Sequence, residues 1–331
     1  MLFFNTLIAG TLVAISSYSW LSMWMGLEIN LLSMIPLMKD SNNLYPSESA
    51  LKYFITQALA SSGLLFAIIT MMNLSEFIPQ NSNYLFMMIL NSALLTKTGA
   101  APFHAWFPEV IEGLNWNNSL ILLTWQKIAP MVLIMYNSKM VMFLSAIVIF
   151  STIVSGVLGI NQISLRKILA FSSINHIAWM IAAMFNSSTI WTIYFSVYSI
   201  ISANIIFIFK KFNLFSFKQL TLAMNNNKMT KMMFMFNFLS LGGMPPFLGF
   251  FPKWLTINKL AEESFGFLSV ILMVSTLMTL FFYLRMMFPS LVMNTKESLI
   301  YLDKTNSFSM LMFNLISILG LGACTLIFNF V

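Results

Sequence analysis

Five side chains that can gain or lose a proton lie inside long apolar stretches of this 331-residue sequence: Glu28, Lys97, Lys127, His176 and Lys253. A charge at the centre of a membrane-spanning helix costs roughly 2.5–3.5 kcal/mol, so four such charges facing lipid would cost about 10–14 kcal/mol. These side chains must therefore point into the protein, where they are paired or hydrated. Because a buried lysine beside a carboxylate can bind and release protons near neutral pH, the five residues form a candidate proton relay.

A motif rich in glycine and proline occurs twice beside these lysines. The pattern G-x-x-P-F-x-x-x-F-P covers residues 99–108 and returns 144 positions later at 243–252. Lys97 precedes the first copy and Lys253 follows the second. Paired interrupted helices in two halves of a membrane protein indicate an ion or substrate pathway near the middle of the membrane. The sequence therefore predicts two broken helices with a lysine at each break.

The composition predicts a protein that is embedded in a lipid membrane. Hydrophobic residues make up 59% of the chain and charged residues only 8%, against about 25% charged residues in soluble domains. Apolar runs of about 20 residues recur, each long enough to cross the hydrocarbon core. The net charge of +7 comes from basic residues between these runs, which favours loop anchoring over nucleic-acid binding. We predict an all-α polytopic membrane protein, a single transmembrane domain over 1–331, with no nucleic-acid partner.

The apolar pattern predicts about eleven transmembrane helices. Residues 2–38 are too long for one crossing, and the polar residues 16–19 offer a turn between two helices. Unwound backbone within the two broken helices is tolerated only where protein covers it or where it lines a wet cavity. The predicted spans are 2–38 (two helices), 52–73, 84–108, 117–136, 140–160, 164–185, 188–210, 232–256, 266–288 and 308–330.

The spacing of the two broken helices predicts an internal repeat. The helices at 84–108 and 232–256 are each fourth in a set of five. Because five is odd, the second set enters the membrane from the opposite side, which makes 1–138 and 139–290 inverted five-helix repeats. The C-terminal transmembrane helix, within 305–331, lies outside the repeat.

The basic residues in the loops predict the orientation of the chain. Cytoplasm-equivalent loops carry the excess of lysine and arginine. With alternating spans, the side opposite the N-terminus receives only Lys139 and Lys259, and the N-terminal side receives twelve basic residues. These are Lys39, Lys52, Arg166, Lys167, Lys210, Lys211, Lys218, Lys228, Lys231, Arg285, Lys296 and Lys304.

Cysteine and histidine usage argues against bound metal in this chain. Cys324 is the only cysteine, so neither an internal disulfide nor an iron–sulfur cluster held by this chain's thiolates is expected. His104 and His176 lack the i, i+4 spacing and the carboxylates of a metal site. His104 lies in the first break, where it could cap freed backbone groups.

Each relay candidate also has a structural interpretation. Lys97 and Lys127 could extend to the membrane surface, although their depth in the spans disfavours this. Lys253 lies near the end of a long segment, where extension of its side chain to the membrane surface is a stronger alternative than it is for Lys97 and Lys127. Glu28 could be the structural partner of a lysine, and His176 could be a core histidine bonded to a carbonyl.

Six motifs spread over nearly the whole chain carry a family resemblance. They are Trp24-x-Gly26-Leu27-Glu28-x-Asn30, Lys52-Tyr53-Phe54-x-Thr56-Gln57, Lys97-x-Gly99-x-Ala101-Pro102-Phe103-His104, Leu122-Leu123-Thr124-Trp125-Gln126-Lys127-x-Ala129-Pro130, Ser172-Ser173-Ile174-Asn175-His176 and Gly242-Gly243-x-Pro245-Pro246-Phe247-x-Gly249-Phe250-x-Pro252-Lys253-Trp254. In these motifs the chain resembles the antiporter-like membrane subunits of mitochondrial respiratory complex I, in the shortened animal form of subunit 2. That form lacks three N-terminal helices of the bacterial homologues and keeps eleven.

The resemblance implies proton translocation across the mitochondrial inner membrane, driven by quinone reduction elsewhere in the complex. It implies that Glu28 is the entry-side glutamate and that Lys97 and Lys253 are the broken-helix lysines. Lys127 matches the connecting lysine, and His176 occupies a place comparable to the residue that links the half-channels. It further implies an N-terminus in the matrix and a C-terminus in the intermembrane space.

The resemblance also implies where the redox chemistry and the partners lie. This chain is expected to hold no cofactor, with NAD, FMN, iron–sulfur clusters and ubiquinone in other subunits of the complex. The expected partners are other complex I subunits, especially neighbouring antiporter-like subunits, and membrane lipids including cardiolipin. Two rival functions remain open: a free-standing or multi-subunit cation/proton antiporter, and a structural membrane spacer whose buried charges merely pair.

Overall fold

The computed structural model describes most of the chain, and it is built from α-helices. The described residues are 2–40, 43–74, 83–138, 140–185, 187–224, 228–292 and 320. The predicted last span at 308–330 therefore lies outside them, as does Cys324, apart from the single residue Gly320. Within the described part the helices are α1 (Leu2–Ser16), α2 (Trp20–Met38), α3 (Tyr45–Leu74), α4 (Asn83–Thr98), α5 (Trp106–Gly113), α6 (Trp116–Leu123), α7 (Trp125–Tyr136), α8 (Val141–Ile160), α9 (Leu165–Met184), α10 (Ser188–Phe212), α11 (Phe217–Met224), α12 (Lys228–Gly242), α13 (Phe250–Glu262) and α14 (Gly266–Val292).

Seven segments of the described chain are long and apolar enough to cross a membrane. They are Trp20–Met38, Tyr45–Asn73, Trp116–Tyr136, Val141–Ile160, Leu165–Met184, Ser188–Phe212 and Gly266–Phe288. The shorter apolar helix α1 and the broken pairs α4–α5 and α12–α13 overlap further predicted spans. The predicted all-α polytopic membrane fold is confirmed, whereas the number of eleven spans stays a prediction.

The chain forms two compact units, 1–150 and 151–331. In the first unit, α1 and α2 pack very closely at two glycines. A Cβ atom on Gly26 would lie 2.5 Å from the backbone nitrogen of Ala14, and one on Gly10 would lie 2.9 Å from that of Asn30. Small residues let transmembrane backbones approach in this way. This packing holds the face of α2 that carries Asn30 against its neighbours, and α4 packs against α3 and α7.

In the second unit, α9 is the central helix. Eighteen of its twenty residues are buried, because it is apolar on almost every face and protein surrounds it. Helices α10, α13 and α14 all pack against it. The polar side chains Ser172, Ser173, Asn175 and His176 of α9 therefore lie inside the protein rather than against lipid.

The close packing of α1 on α2 gives a first prediction. Replacing Gly26 by alanine must push the two helices apart, since the nearest atoms are backbone atoms of Ala14, and such overpacking costs roughly 1–3 kcal/mol. We expect the detergent-solubilised protein to lose its helical circular dichroism at a lower temperature. Gly266→Ala is the matched control, because a Cβ there meets nothing within 4 Å. An equal effect of both substitutions would show that the close approach is not responsible.

Candidate functional site

The first break in a helix is built by a glycine in the left-handed conformation. Gly99 has φ +79° and donates its N–H to the carbonyl of Thr96 at 3.2 Å, and Ala100 donates to that of Leu95 at 3.1 Å. This pair of bonds is the Schellman ending of a helix, which favours glycine at the left-handed position. Across the break, the indole of Trp106 donates to the Thr96 carbonyl at 3.0 Å.

The second break repeats this ending 144 residues later. Gly243 has φ +78° and donates to the carbonyl of Ser240 at 3.0 Å, while Met244 donates to that of Leu239 at 3.2 Å. The offsets match those of the first break residue for residue. The repeated motif therefore encodes one backbone geometry at both predicted positions.

Lys253 spans the second break. It lies in the first turn of α13, is 6% exposed, and its Nζ donates to the carbonyl of Gly242 at 2.9 Å and to that of Leu241 at 3.4 Å. A cation at the C-terminal carbonyls of a helix is stabilised by the helix dipole. Its Nζ also lies 5.7 Å from the centre of the Trp179 ring. Gly243 makes room for this side chain, since a Cβ there would lie 2.7 Å from Lys253 Cδ.

Lys97 lies in the last turn of α4 and faces a small polar cavity. Lys97 is 7% exposed, so its side chain points into the protein as the sequence predicts. The cavity has about 10 Å³ for the centre of a water molecule, close to the minimum for one water. It is lined by Leu27, Asn30, Leu31, Tyr53, Gln57, Lys97, Gln126 and Pro130.

A hydrogen-bonded chain runs along this cavity. Gln126 donates to Asn30 Oδ1 at 2.8 Å and accepts a long bond from the hydroxyl of Tyr53 at 3.5 Å. Glu28, half-buried two residues before Asn30 on α2, interacts electrostatically with Lys97. The first unit thus brings together a carboxylate, an amine and neutral groups that can both donate and accept.

Lys127 is the most deeply buried of the three lysines. It is 1% exposed, and its Nζ lies 5.5 Å from the centre of the Phe107 ring. The sequence predicts one span at 117–136 here, but the structure interrupts the helix at Thr124. Thr124 bonds the carbonyl of Leu120 through its hydroxyl at 2.7 Å, a contact that bends helices. Lys127 therefore follows an interruption, directly after Gln126.

His176 lies at the middle of α9 in the second unit. It is 5% exposed, and its Nδ1 lies 2.9 Å from the hydroxyl of Tyr194 on α10. The ring of Tyr198 is 4.9 Å from the imidazole ring, centre to centre. His176 is thus hydrogen-bonded to a side chain that can donate and accept a proton, rather than to a backbone carbonyl through that nitrogen.

The structure groups the candidate residues within each unit. Glu28 and Lys97 interact in the first, where Lys127 adjoins the cavity residue Gln126. In the second, Lys253 contacts Trp179, which follows His176 by three positions on α9. The relay roles themselves stay predictions.

Three kinds of neighbour were not identified as site residues from the sequence. The amide side chains of Asn30 and Gln126 stand inside the quoted motifs, and their polarity in apolar helices could have marked them. Tyr194 and Trp179 lie in ordinary apolar runs, so only tertiary packing reveals them. His104, expected at most to cap backbone, has its Nδ1 3.3 Å from the carbonyl of Pro102.

Comparison with known proteins identifies the family. Residues 17–279 match the sequence model of the family described as NADH:quinone oxidoreductase/Mrp antiporter, transmembrane. NADH-ubiquinone oxidoreductase chain 2 of Anopheles gambiae is 49% identical, covering 99% of this chain and 97% of that protein. The protein of the same name from Aedes aegypti is 52% identical with the same coverage. The resemblance found in the sequence motifs is confirmed.

Solved structures share the fold at lower identity. A chain of respiratory complex I from Thermus thermophilus matches with a TM-score of 0.85 and 21% identity, covering 96% of this chain and 76% of that chain. A chain of the Mrp complex from Dietzia sp. matches with a TM-score of 0.76 and 14% identity, covering 97% and 74%. At these identities the likeness concerns the fold.

The glycine at the second break gives a second prediction. Gly243→Ala forces a side chain into the left-handed region, at about 1–2 kcal/mol, and into the space of the Lys253 chain. We expect a lower unfolding temperature in detergent. Gly242→Ala is the matched control, since its Cβ would make ordinary contacts at 3.6 Å with Leu280 and Tyr283. Similar unfolding temperatures for the two variants would contradict the role of the break.

Proposed function

Because the chain belongs to the NADH-ubiquinone oxidoreductase chain 2 family, we propose that Glu28, Lys97, Lys127, His176 and Lys253 carry protons across the mitochondrial inner membrane. The observation that carries the proposal is the burial of four of them inside apolar helices: Lys97 is 7%, Lys127 1%, His176 5% and Lys253 6% exposed. Intramembrane ionisable residues that face the protein interior characterise ion pathways and proton relays.

The first unit supplies the parts of a proton-accepting step. A proton is held as the Lys97 ammonium, whose charge the Glu28 carboxylate stabilises at a distance. The amide of Gln126 and the hydroxyl of Tyr53 extend hydrogen bonding along the cavity wall. When Glu28 gains a proton, that stabilisation is lost and Lys97 is driven to release its own.

The second unit supplies two further proton sites. The Lys253 ammonium is held by two carbonyls at the end of α12. His176 changes charge near neutral pH in general and is bonded to Tyr194. Lys127 is assigned the connecting role that its match to the family implies.

The proposal includes the finer topology. We infer eleven transmembrane helices, with 1–138 and 139–290 as inverted repeats and a last helix within 305–331. The same Schellman ending at Gly99 and Gly243 supports the repeat. The excess of basic residues on one side supports an N-terminus in the matrix and a C-terminus in the intermembrane space.

The chain is a subunit of an NADH:quinone oxidoreductase and works beside other subunits of that complex. We propose that it contributes proton translocation and contains no redox centre of its own. NAD, FMN, iron–sulfur clusters and ubiquinone then belong to other subunits. Neighbouring antiporter-like subunits and lipids, including cardiolipin, are the proposed direct contacts.

A charge-removing substitution tests the relay. Lys97→Met keeps the length of the side chain and removes the titratable amine. We expect proton pumping coupled to NADH:ubiquinone turnover to fall roughly tenfold or more, as loss of a positioned proton-transfer group implies, in complex that assembles normally on native gels. Lys259→Met is the control, because Lys259 is 45% exposed and pairs with Glu262 at the surface.

The same experiment separates the relay from a structural spacer. If the chain is a structural spacer, the assembled Lys97→Met complex pumps as many protons per electron pair as the unsubstituted complex. If the Lys97→Met complex does not assemble, the Lys253→Met complex, in which the other broken helix is altered, provides the same test. Normal pumping by assembled Lys97→Met and Lys253→Met complexes would refute the relay.

A second candidate function is cation/proton antiport, which the fold likeness to the Mrp complex favours. An antiporter works without a redox partner. We expect the purified chain in liposomes to show no sodium-driven proton movement, measured with a pH-sensitive dye inside the vesicles. Sodium-driven movement that Lys97→Met abolishes would favour antiport instead.

A further inference from the structure

Among the described residues, the Lys253 amine is held by two carbonyls and one aromatic ring. A lysine ammonium has three N–H donors. Two acceptors are the carbonyls of Gly242 and Leu241. The third neighbour is the ring of Trp179, whose centre lies 5.7 Å from Nζ, within the range of a cation–π contact. Trp179 thus supplies the aromatic contact of this amine.

Trp179 also lies on the helix that carries the other titratable group of this unit. It is 1% exposed and follows His176 by three residues on α9, so that the two side chains lie on the same side of the helix. The tryptophan thus contacts one proton site and neighbours the other. The proposed relay itself gives Trp179 no role.

A pair of buried polar atoms accompanies this arrangement. The indole N–H of Trp179 has no hydrogen-bond acceptor among the described residues, and neither does Asn175 Oδ1 find a donor there. Asn175 and Trp179 are separated by one helical turn (i, i+4), so a donor and an acceptor are left on one face of α9. Buried polar groups of this kind bind ordered water.

We propose that Trp179 is a positioning residue for Lys253, with its ring face holding the ammonium and its indole N–H binding a water that links Lys253 to His176. This inference rests on the proposed relay. In the transfer, Lys253 gives a proton to the water oxygen, and the water gives one of its own protons to His176 Nε2. The water is regenerated, and no co-reactant is needed. Asn175 is the second anchor of that water.

Three variants in the assembled complex test the proposal. Trp179→Leu removes the ring face and the N–H, and we expect protons pumped per electron pair to fall roughly fivefold to tenfold, in the range of a desolvated cation–π contact. Trp179→Phe restores the ring face without the N–H and is expected to recover part of that loss. Trp191→Leu is the control for lost volume, since Trp191 is a 5% exposed tryptophan of α10 stacked on Phe195.

The outcomes distinguish this inference from the relay itself. Each tryptophan variant is measured alongside Lys253→Met and the double variant Trp179→Leu/Lys253→Met. If Trp179 acts through Lys253, the double variant pumps no less than Lys253→Met alone. Pumping by Trp179→Leu equal to that by Trp191→Leu, or additive losses in the double variant, overturns the role of Trp179. Full recovery in Trp179→Phe overturns the water held by the indole. Normal pumping by Lys253→Met would instead remove Lys253 from the relay, and normal pumping by Lys97→Met as well would refute the relay itself.

Discussion

The central constraint on this protein is that backbone groups freed inside a membrane must be satisfied by protein or by enclosed water. Both broken helices satisfy part of this requirement with the same turn. In that turn Gly99 and Gly243 adopt positive φ, and the backbone N–H groups of each glycine and of the next residue donate to carbonyls in the last turn of the helix. A side chain at either glycine would be strained by the conformation alone. The placement of the lysines follows from how the remaining carbonyls are satisfied.

At the two breaks, different side-chain donors bind carbonyls near the end of the helix. In the first, the neutral indole of Trp106 takes the carbonyl of Thr96. The amine of Lys97 faces the polar cavity and the field of Glu28. In the second, the position equivalent to Trp106 is Phe250, which has no side-chain donor. The Lys253 amine there binds the carbonyls of Leu241 and Gly242, which follow Ser240, the equivalent of Thr96. The lysines of the repeated motif are therefore held by different forces.

Sequence reasoning reached the features that local rules determine. A repeated glycine requirement located both breaks, and the cost of lipid-facing charge predicted that Lys97, Lys127 and Lys253 point inward. It missed what depends on packing between distant segments. The partnership of Tyr194 with His176 arises from such packing. No periodicity or motif around Tyr194 indicates that contact.

The different attachments of Lys97 and Lys253 argue against a purely structural role for both. A lysine kept only to cap carbonyls explains Lys253, since two backbone acceptors hold it. It does not explain Lys97, whose side chain lines the small polar cavity. Keeping an additional cation beside a small polar cavity has a cost that stability does not require. The proposed proton transfer would use that cation, because the Glu28 carboxylate interacts with it and the cavity beside it has room for about one water.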